Sequence, residues 1–142
     1  MALKHKKIVV TGGAGFLGSH VVRFLLEADN EVVVLDDFSN GKTTHLESFA
    51  ENPALKVIIG DITDLDDVKR AFEECRVVIH LAVLGLRQSI KQPSRVNEVI
   101  VQGTLNCLEV ARNNDVELFL NCSSSEVYGT AVHVPMDENH PL

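Results

Sequence analysis

A glycine-rich turn near the start of the chain has the spacing needed to hold a phosphate group. Gly12, Gly15 and Gly18 recur every third residue, after the apolar run Ile8-Val9-Val10 and at the start of a helical pattern. One glycine permits the tight turn, the next admits a pyrophosphate close to the backbone, and the third allows close helix–strand packing. The first N–H groups of the helix would then bind the phosphate oxygens.

A carboxylate follows this turn at the distance typical of a ribose ligand. Asp36 ends the apolar run 32–35, about 20 residues beyond the last glycine of the turn. A carboxylate there accepts hydrogen bonds from the adenosine ribose and repels a 2′-phosphate, so the sequence favours NAD over NADP. Asp37 is the rival for this role, with a solvated turn residue as its other interpretation. Lys42 is the only nearby cation that could favour NADP, and its alternative is also a solvated side chain.

Short apolar runs alternate with helical patterns along the whole chain. Because buried parallel strands are continuously apolar and need helical crossovers, this alternation predicts a doubly wound α/β sheet, a Rossmann fold, in the strand order 3-2-1-4-5. We predict one domain over residues 1–142. Strands are expected at 7–10, 31–36, 55–59, 77–81 and 116–121, and helices at 16–28, 43–50, 64–74 and 93–113. In the last helix, the predicted apolar positions are Val96, Ile100, Leu105, Leu108 and Val110.

Composition excludes several classes of function. The net charge of −7 argues against a nucleic-acid partner, which usually requires a basic surface. Neither a run of about 18 apolar residues nor a signal-peptide core occurs, so we expect no membrane span and a cytoplasmic location. Cys75, Cys107 and Cys122 are odd in number and lack C-x-x-C spacing, so neither a disulfide framework nor a metal site is indicated. We predict that all three are small buried side chains.

Six segments together resemble the NAD-dependent epimerase/dehydratase family of the extended short-chain dehydrogenase/reductase superfamily. They span most of the chain, and their G-x-x-G-x-x-G spacing differs from the G-x-G-x-x-G of other dehydrogenases. The segments are Thr11-Gly12-Gly13-Ala14-Gly15-Phe16-Leu17-Gly18, Leu35-Asp36-Asp37-Phe38-Ser39-Asn40-Gly41-Lys42, Gly60-Asp61-Ile62, His80-Leu81-Ala82, Gly103-Thr104-Leu105-Asn106 and Ser123-Ser124-Ser125-Glu126-Val127-Tyr128-Gly129.

The resemblance implies a position along bound NAD for each matching residue. Asp36 would hold the ribose, and Asp61 the exocyclic amine of the adenine. Ile100 and Val83 depart from the family at the nicotinamide pocket, where many relatives have Asn and a small residue. The remaining implied cofactor contacts are Gly12, Gly15, Phe16, Leu17 and Gly18 at the pyrophosphate, Asn40 and Lys42 at the adenosine, Ile62 at the adenine, and Leu81 and Ala82 toward the nicotinamide.

The resemblance also implies the chemistry of a sugar nucleotide that is transiently oxidised by NAD. Ser124 matches the hydroxyl that hydrogen-bonds the reacting sugar hydroxyl. Glu126 matches a carboxylate of 4,6-dehydratases and glucuronate decarboxylases, with a solvated or structural carboxylate as its alternative; Ser125 replaces the Asp of the dehydratases. Tyr128 and His80 are expected to be structural.

The family's base is the Tyr of a Tyr-x-x-x-Lys motif, which this sequence does not contain, since Val132 stands four residues after Tyr128. We therefore expect a Rossmann fold truncated after strand five, without its substrate lobe and inactive as it stands. The alternatives are a natural non-catalytic NAD-binding module, a fragment of a UDP-glucuronate-decarboxylase-like enzyme, and an NADP-dependent reductase of a non-sugar carbonyl. We expect a homodimer through helices such as 93–113, or self-association through the edge of strand five.

Overall fold

Five parallel strands form the centre of the fold, and the computed structural model describes residues 3–141 of the chain. The strand order is β3-β2-β1-β4-β5, which confirms the predicted order. The sheet register places Val9 beside Val33 of one neighbouring strand and Val78 of the other. The strands are β1 (Lys7–Thr11), β2 (Glu31–Asp36), β3 (Leu55–Ile59), β4 (Val77–His80) and β5 (Leu118–Asn121).

Helices cover both faces of this sheet. The second begins after Asp64, whose carboxylate caps it by accepting the N–H of Asp66 at 2.9 Å. The helices are α1 (Phe16–Glu27), α2 (Leu65–Phe72), α3 (Leu86–Lys91), α4 (Pro93–Asn97) and α5 (Thr104–Asn113), with a π-helical segment at Glu98–Gly103 and 3₁₀ turns at Thr43–His45, Glu47–Phe49 and Ser125–Tyr128. The helix α3 was not predicted, because it is short and its apolar side chains Leu86 and Ile90 are exposed.

Alternation along the strands divides the core into two layers. Ile8 and Val10 pack on the side of α1, against Val22 and Leu25. Val9 points to the opposite face, into the layer that α2 and α5 cover. Successive strand side chains point to opposite faces, so a strand that is apolar throughout is buried only when helices cover both sides.

The segment 93–113 is helical over its predicted range but buries a different face from the predicted one. Val96 and Val110 are buried as predicted, whereas Ile100, Leu105 and Leu108 are exposed. The buried stripe passes instead through Val99, Gly103, Asn106, Cys107 and Ala111. Small and polar residues occupy this stripe because the loop after β3 packs directly on it, a contact that apolar periodicity does not indicate.

The prediction of three buried cysteines is wrong for Cys122. Cys75 and Cys107 are buried, and burial raises the pKa of the first thiol to about 11 and of the second to about 12, so both stay protonated. Cys122 is exposed because it follows β5, at the open end of the sheet. Within residues 3–141, none of the helices combines the length and the apolar character needed to cross a bilayer.

Candidate functional site

A cavity of about 960 Å³ lies at the carboxyl ends of the strands. This is the position where ligands bind in open α/β sheets, at the point where the strand order reverses. Two predicted residues do not line the cavity: Lys42 and Glu126 are both exposed outside its wall. The structure brings the other predicted residues together around it, namely Gly12, Gly15, Phe16, Leu17, Gly18, Asp36, Asp37, Asn40, Asp61, Ile62, Leu81, Ala82 and Ser124.

The glycine turn presents bare backbone to this cavity. Gly12 has a φ of +70°, and a Cβ there would lie 2.8 Å from the Ala82 nitrogen. Among the described residues, no side chain caps the start of α1, and its first turn carries no acidic residue. The N–H groups of Phe16 and Leu17 therefore lack an intrahelical acceptor and carry the positive end of the helix dipole. This cradle fits a pyrophosphate.

Asp36 is buried at the end of β2 and holds the turn as well as facing the cavity. Its Oδ2 accepts the N–H of Ala14 at 2.9 Å, and its Oδ1 accepts the N–H of Phe38 at 2.9 Å. Burial raises the pKa of this carboxyl above its usual value. The same two N–H groups lower the pKa, and the neighbouring charge of Asp37 raises it. Each oxygen keeps one free acceptor position, which suits the two hydroxyls of a ribose.

His80 joins β4 to β1 and α5 beneath the cavity. The hydroxyl of Thr11 accepts the N–H groups of Leu81 and Ala82, each at 3.2 Å. Its own proton is therefore directed to His80 Nδ1 at 2.7 Å, and the opposite ring nitrogen donates to the hydroxyl of Thr104 at 3.0 Å. Both nitrogens of His80 are thus used within the protein, which assigns the Nε2–H tautomer and supports a structural role.

Burial of His80 predicts that the fold loses stability in mild acid. Burial lowers the pKa of His80 from 6.5 to about 4, so the unfolded chain binds a proton at a higher pH than the folded chain does. The free energy of unfolding should fall by about 3 kcal/mol as the pH drops from 6.5 to 4, in addition to changes from other groups. Urea unfolding of the wild type and of His80→Gln across this range measures the difference. Identical pH dependence in both proteins would contradict the prediction.

The loop after β3, residues 60–64, is held from the opposite side by the helical segment 93–113. Ile62 is buried against Gly103, where a Cβ would lie 2.5 Å from the Ile62 Cδ1 atom. The amide of Asn106 donates to the carbonyl oxygens of Ile62 at 3.0 Å and of Thr63 at 3.1 Å. Arg95 forms an ion pair with Asp61. The position of the loop therefore depends on a helix more than 30 residues further along the chain.

Two contacts in the cavity wall involve Asn40, Gln88 and His45, and sequence reasoning found neither contact. The amides of Asn40 and Gln88 face each other, with donor–acceptor distances of 3.3 and 3.4 Å, and Gln88 Oε1 also accepts the N–H of Gly85 at 2.9 Å. A ring nitrogen of His45 lies 2.8 Å from the carbonyl oxygen of Ala14. No local pattern marks Gln88 or His45, because their partners Asn40 and Ala14 are remote from them in sequence.

Ser124 and Glu126 differ in their access to the cavity. Ser124 lines it, and its Oγ accepts the N–H of Glu126 at 3.2 Å, which leaves the hydroxyl proton available to a ligand. Glu126 lies in the following 3₁₀ turn with its side chain exposed. The Ser124 hydroxyl therefore borders the cavity, whereas Glu126 is not part of its wall.

Comparison with known proteins relates this architecture to a family of sugar-nucleotide enzymes. The family model described as GDP-mannose 4,6 dehydratase matches residues 9–142. The UDP-glucose 4-epimerase of Mus musculus is 35% identical in an alignment that covers 96% of this chain and 42% of that protein.

Two solved structures share the fold at comparable sequence identity. The dTDP-glucose 4,6-dehydratase DesIV from Streptomyces venezuelae, with NAD bound, superposes with a TM-score of 0.88 and 34% identity, covering 96% of this chain and 45% of that one. The UDP-N-acetylglucosamine 4-epimerase from Methanobrevibacter ruminantium has a TM-score of 0.87 and 34% identity, covering 96% and 44%. This chain therefore spans less than half the length of each of these relatives.

Proposed function

Since this chain belongs to the GDP-mannose 4,6 dehydratase family of NAD-dependent epimerases and dehydratases, we propose that it forms the NAD-binding part of a sugar-nucleotide epimerase or dehydratase. The observation that carries the proposal is that three features line one cavity: the uncapped start of α1, the buried carboxylate of Asp36 and the loop after β3. NAD supplies a hydride acceptor when it is bound, and a sugar hydroxyl would be oxidised transiently.

The residues of this chain would bind and orient the cofactor along the cavity. The N–H groups of Phe16 and Leu17 would bind the pyrophosphate, which would take the place of the side-chain cap that α1 lacks. Asp36 would accept the ribose hydroxyls, and Asp61 with Ile62 would contact the adenine. Leu81 and Ala82 would line the nicotinamide side, where Ile100 and Val83 also line the cavity.

A cofactor titration tests this proposal directly. We expect the chain to bind NAD at least about 100-fold more tightly than NADP, because a 2′-phosphate would meet the buried carboxylate of Asp36 without a cation to offset the repulsion. Lys42 is exposed outside the cavity wall, which supports the expected preference for NAD. Isothermal calorimetry with both dinucleotides gives the ratio. Equal affinities would contradict the assignment of Asp36, and no binding of either would contradict the proposed function.

A sugar nucleotide is the proposed substrate, because the names of the relatives specify UDP- and dTDP-linked sugars. The free proton of Ser124 would hydrogen-bond the sugar hydroxyl that is oxidised. Because Glu126 is exposed, its position does not distinguish between the reactions of the family. The proposed enzyme class therefore remains epimerase or dehydratase, and the match of Glu126 to the decarboxylases keeps a decarboxylase-like enzyme as the alternative. Lys42 and Asn40 remain proposed contacts of the adenosine.

The proposed setting is the cytoplasm, which keeps thiols reduced, in keeping with the three free cysteines of the described chain.

We also propose that the protein self-associates. The strand β5 pairs only with β4 within the described residues, so its other side presents unpaired backbone groups. The exposed Leu105 and Leu108 of α5 supply an apolar surface for a homodimer.

A further inference from the structure

Arg95, Asp61 and Thr63 form a closed ring of side-chain contacts beside the cavity. The guanidinium of Arg95 contacts the Asp61 carboxylate through one nitrogen. Its other terminal nitrogen, Nη1, donates to the hydroxyl of Thr63 at 3.2 Å and to Glu98 Oε2 at 2.8 Å. The Thr63 hydroxyl in turn donates to Asp61 Oδ1 at 2.8 Å. The ring connects α4 to the loop after β3.

The acceptor positions of Asp61 are almost completely used by this ring. Oδ1 accepts both the N–H and the hydroxyl of Thr63, each at 2.8 Å. Among residues 3–141, Oδ2 accepts only from Arg95, and so it keeps one free acceptor position. Asp61 also lines the cavity, and its side chain is 29% exposed. The ring therefore leaves a single fixed acceptor on a carboxylate that borders the ligand space.

We propose that Arg95 is a positioning residue that fixes the free acceptor of Asp61 toward the exocyclic amine of an adenine, and so sets selectivity for that base. The proposal deepens the proposed function and rests on it. If the base carried a carbonyl oxygen in place of the amine, that oxygen and Asp61 Oδ2 would both be hydrogen-bond acceptors and would repel each other. A carboxylate held in one orientation cannot turn away from this repulsion. A carboxylate released from Arg95 could rotate away, and the discrimination would be lost.

A role in stability alone does not explain the contacts of Arg95 equally well. Surface ion pairs contribute little to stability in general, and Arg95 and Asp61 are both about one-third exposed. Arg70 already forms a separate pair with Asp67, whose Oδ2 accepts the N–H of Asp61 at 2.9 Å. The loop backbone is thus held without Arg95, whose distinct contribution is to the Asp61 carboxylate.

The test compares NAD with nicotinamide hypoxanthine dinucleotide, in which a carbonyl replaces the amine of the base. Calorimetry on the 142-residue chain should give the wild type a preference of about tenfold for NAD, the value of one hydrogen bond to a charged acceptor. Arg95→Met keeps the aliphatic stem and should bind both dinucleotides with less than about twofold preference. The matched control Arg23→Met, which removes the exposed pair with Glu27 on α1, should keep the wild-type ratio.

Each outcome of this test separates selectivity from general stability. A merely structural role for Arg95 would lower both affinities by the same factor and leave the ratio unchanged, which would overturn the proposal. A wild type that binds both dinucleotides equally would overturn it as well. If Arg95→Met does not fold, Thr63→Val breaks the same ring and should also reduce the ratio. Failure of the wild type to bind either dinucleotide overturns the proposed function instead.

Discussion

Gly18→Ala is expected to destabilise the fold strongly and to weaken the binding of NAD. An added Cβ would lie 2.1 Å from the carbonyl oxygen of Gly12 and 2.7 Å from the Cα of Gly13. Both atoms belong to the backbone of the glycine turn, so no side chain can rotate to make room. The helix α1 must instead move away from the turn.

This displacement is costly because α1 carries part of the core. Val22 and Leu25 are fully buried between α1 and the sheet, and they would lose that packing. We expect a loss of about 3 kcal/mol in the free energy of unfolding, the upper part of the range for overpacking. The N–H groups at the start of α1 would shift as well, and each lost bond to a phosphate lowers affinity by about tenfold.

Urea unfolding and an NAD titration measure both effects on one variant. The matched control is Gly85→Ala, which also lies on the cavity wall and at the start of a helix. A Cβ at Gly85 would meet its nearest heavy atom, Gln88 Oε1, only at 3.9 Å, so this variant should stay within about 0.5 kcal/mol of the wild type. Wild-type stability in Gly18→Ala would mean that helix and turn are not in close contact.

Asp36→Asn is expected to lower both the stability of the fold and the affinity for NAD. The carboxylate accepts the N–H groups of Ala14 and Phe38, one on each oxygen. An asparagine offers only one oxygen, so one of these two N–H groups would face an amide NH₂. Leaving a buried donor without an acceptor costs about 1–3 kcal/mol. Replacing the charged acceptor of a ribose should weaken NAD binding by about 10–100-fold.

Asp37→Asn is the matched control for this change, and it decides between the two candidates for the ribose. The Asp37 side chain is exposed, and its carboxylate accepts only the N–H of Ser39, at 2.9 Å, within the described residues. We expect Asp37→Asn to change stability by less than about 0.5 kcal/mol and to leave NAD affinity within about threefold of the wild type. A larger loss of affinity in Asp37→Asn than in Asp36→Asn would reverse the assignment.

The sequence by itself determined the order of the strands, the glycine turn and the buried carboxylate at the end of β2. These features follow from local patterns: continuous apolar runs require burial on both faces, right-handed crossovers restrict the strand order, and the G-x-x-G-x-x-G spacing acts within one strand–turn–helix unit. Asp36 could be found in the same way, because its distance from Gly18 is short and regular. For these features the sequence pattern was sufficient, because each follows from the order and spacing of residues.

Only the tertiary structure decided which side chains contact each other between elements that are distant in sequence. The ion-pair partner of Asp61 comes from α4, and the partners of His80 come from β1 and α5, at separations of 24 to 69 residues. The buried face of 93–113 could not be predicted from hydrophobicity, because Gly103 and Asn106 are buried by the loop that packs on them. Lys42 and Glu126 matched their motifs and yet lie outside the cavity wall. A motif specifies the type and order of residues, whereas the direction of a side chain depends on packing between segments that are distant in sequence.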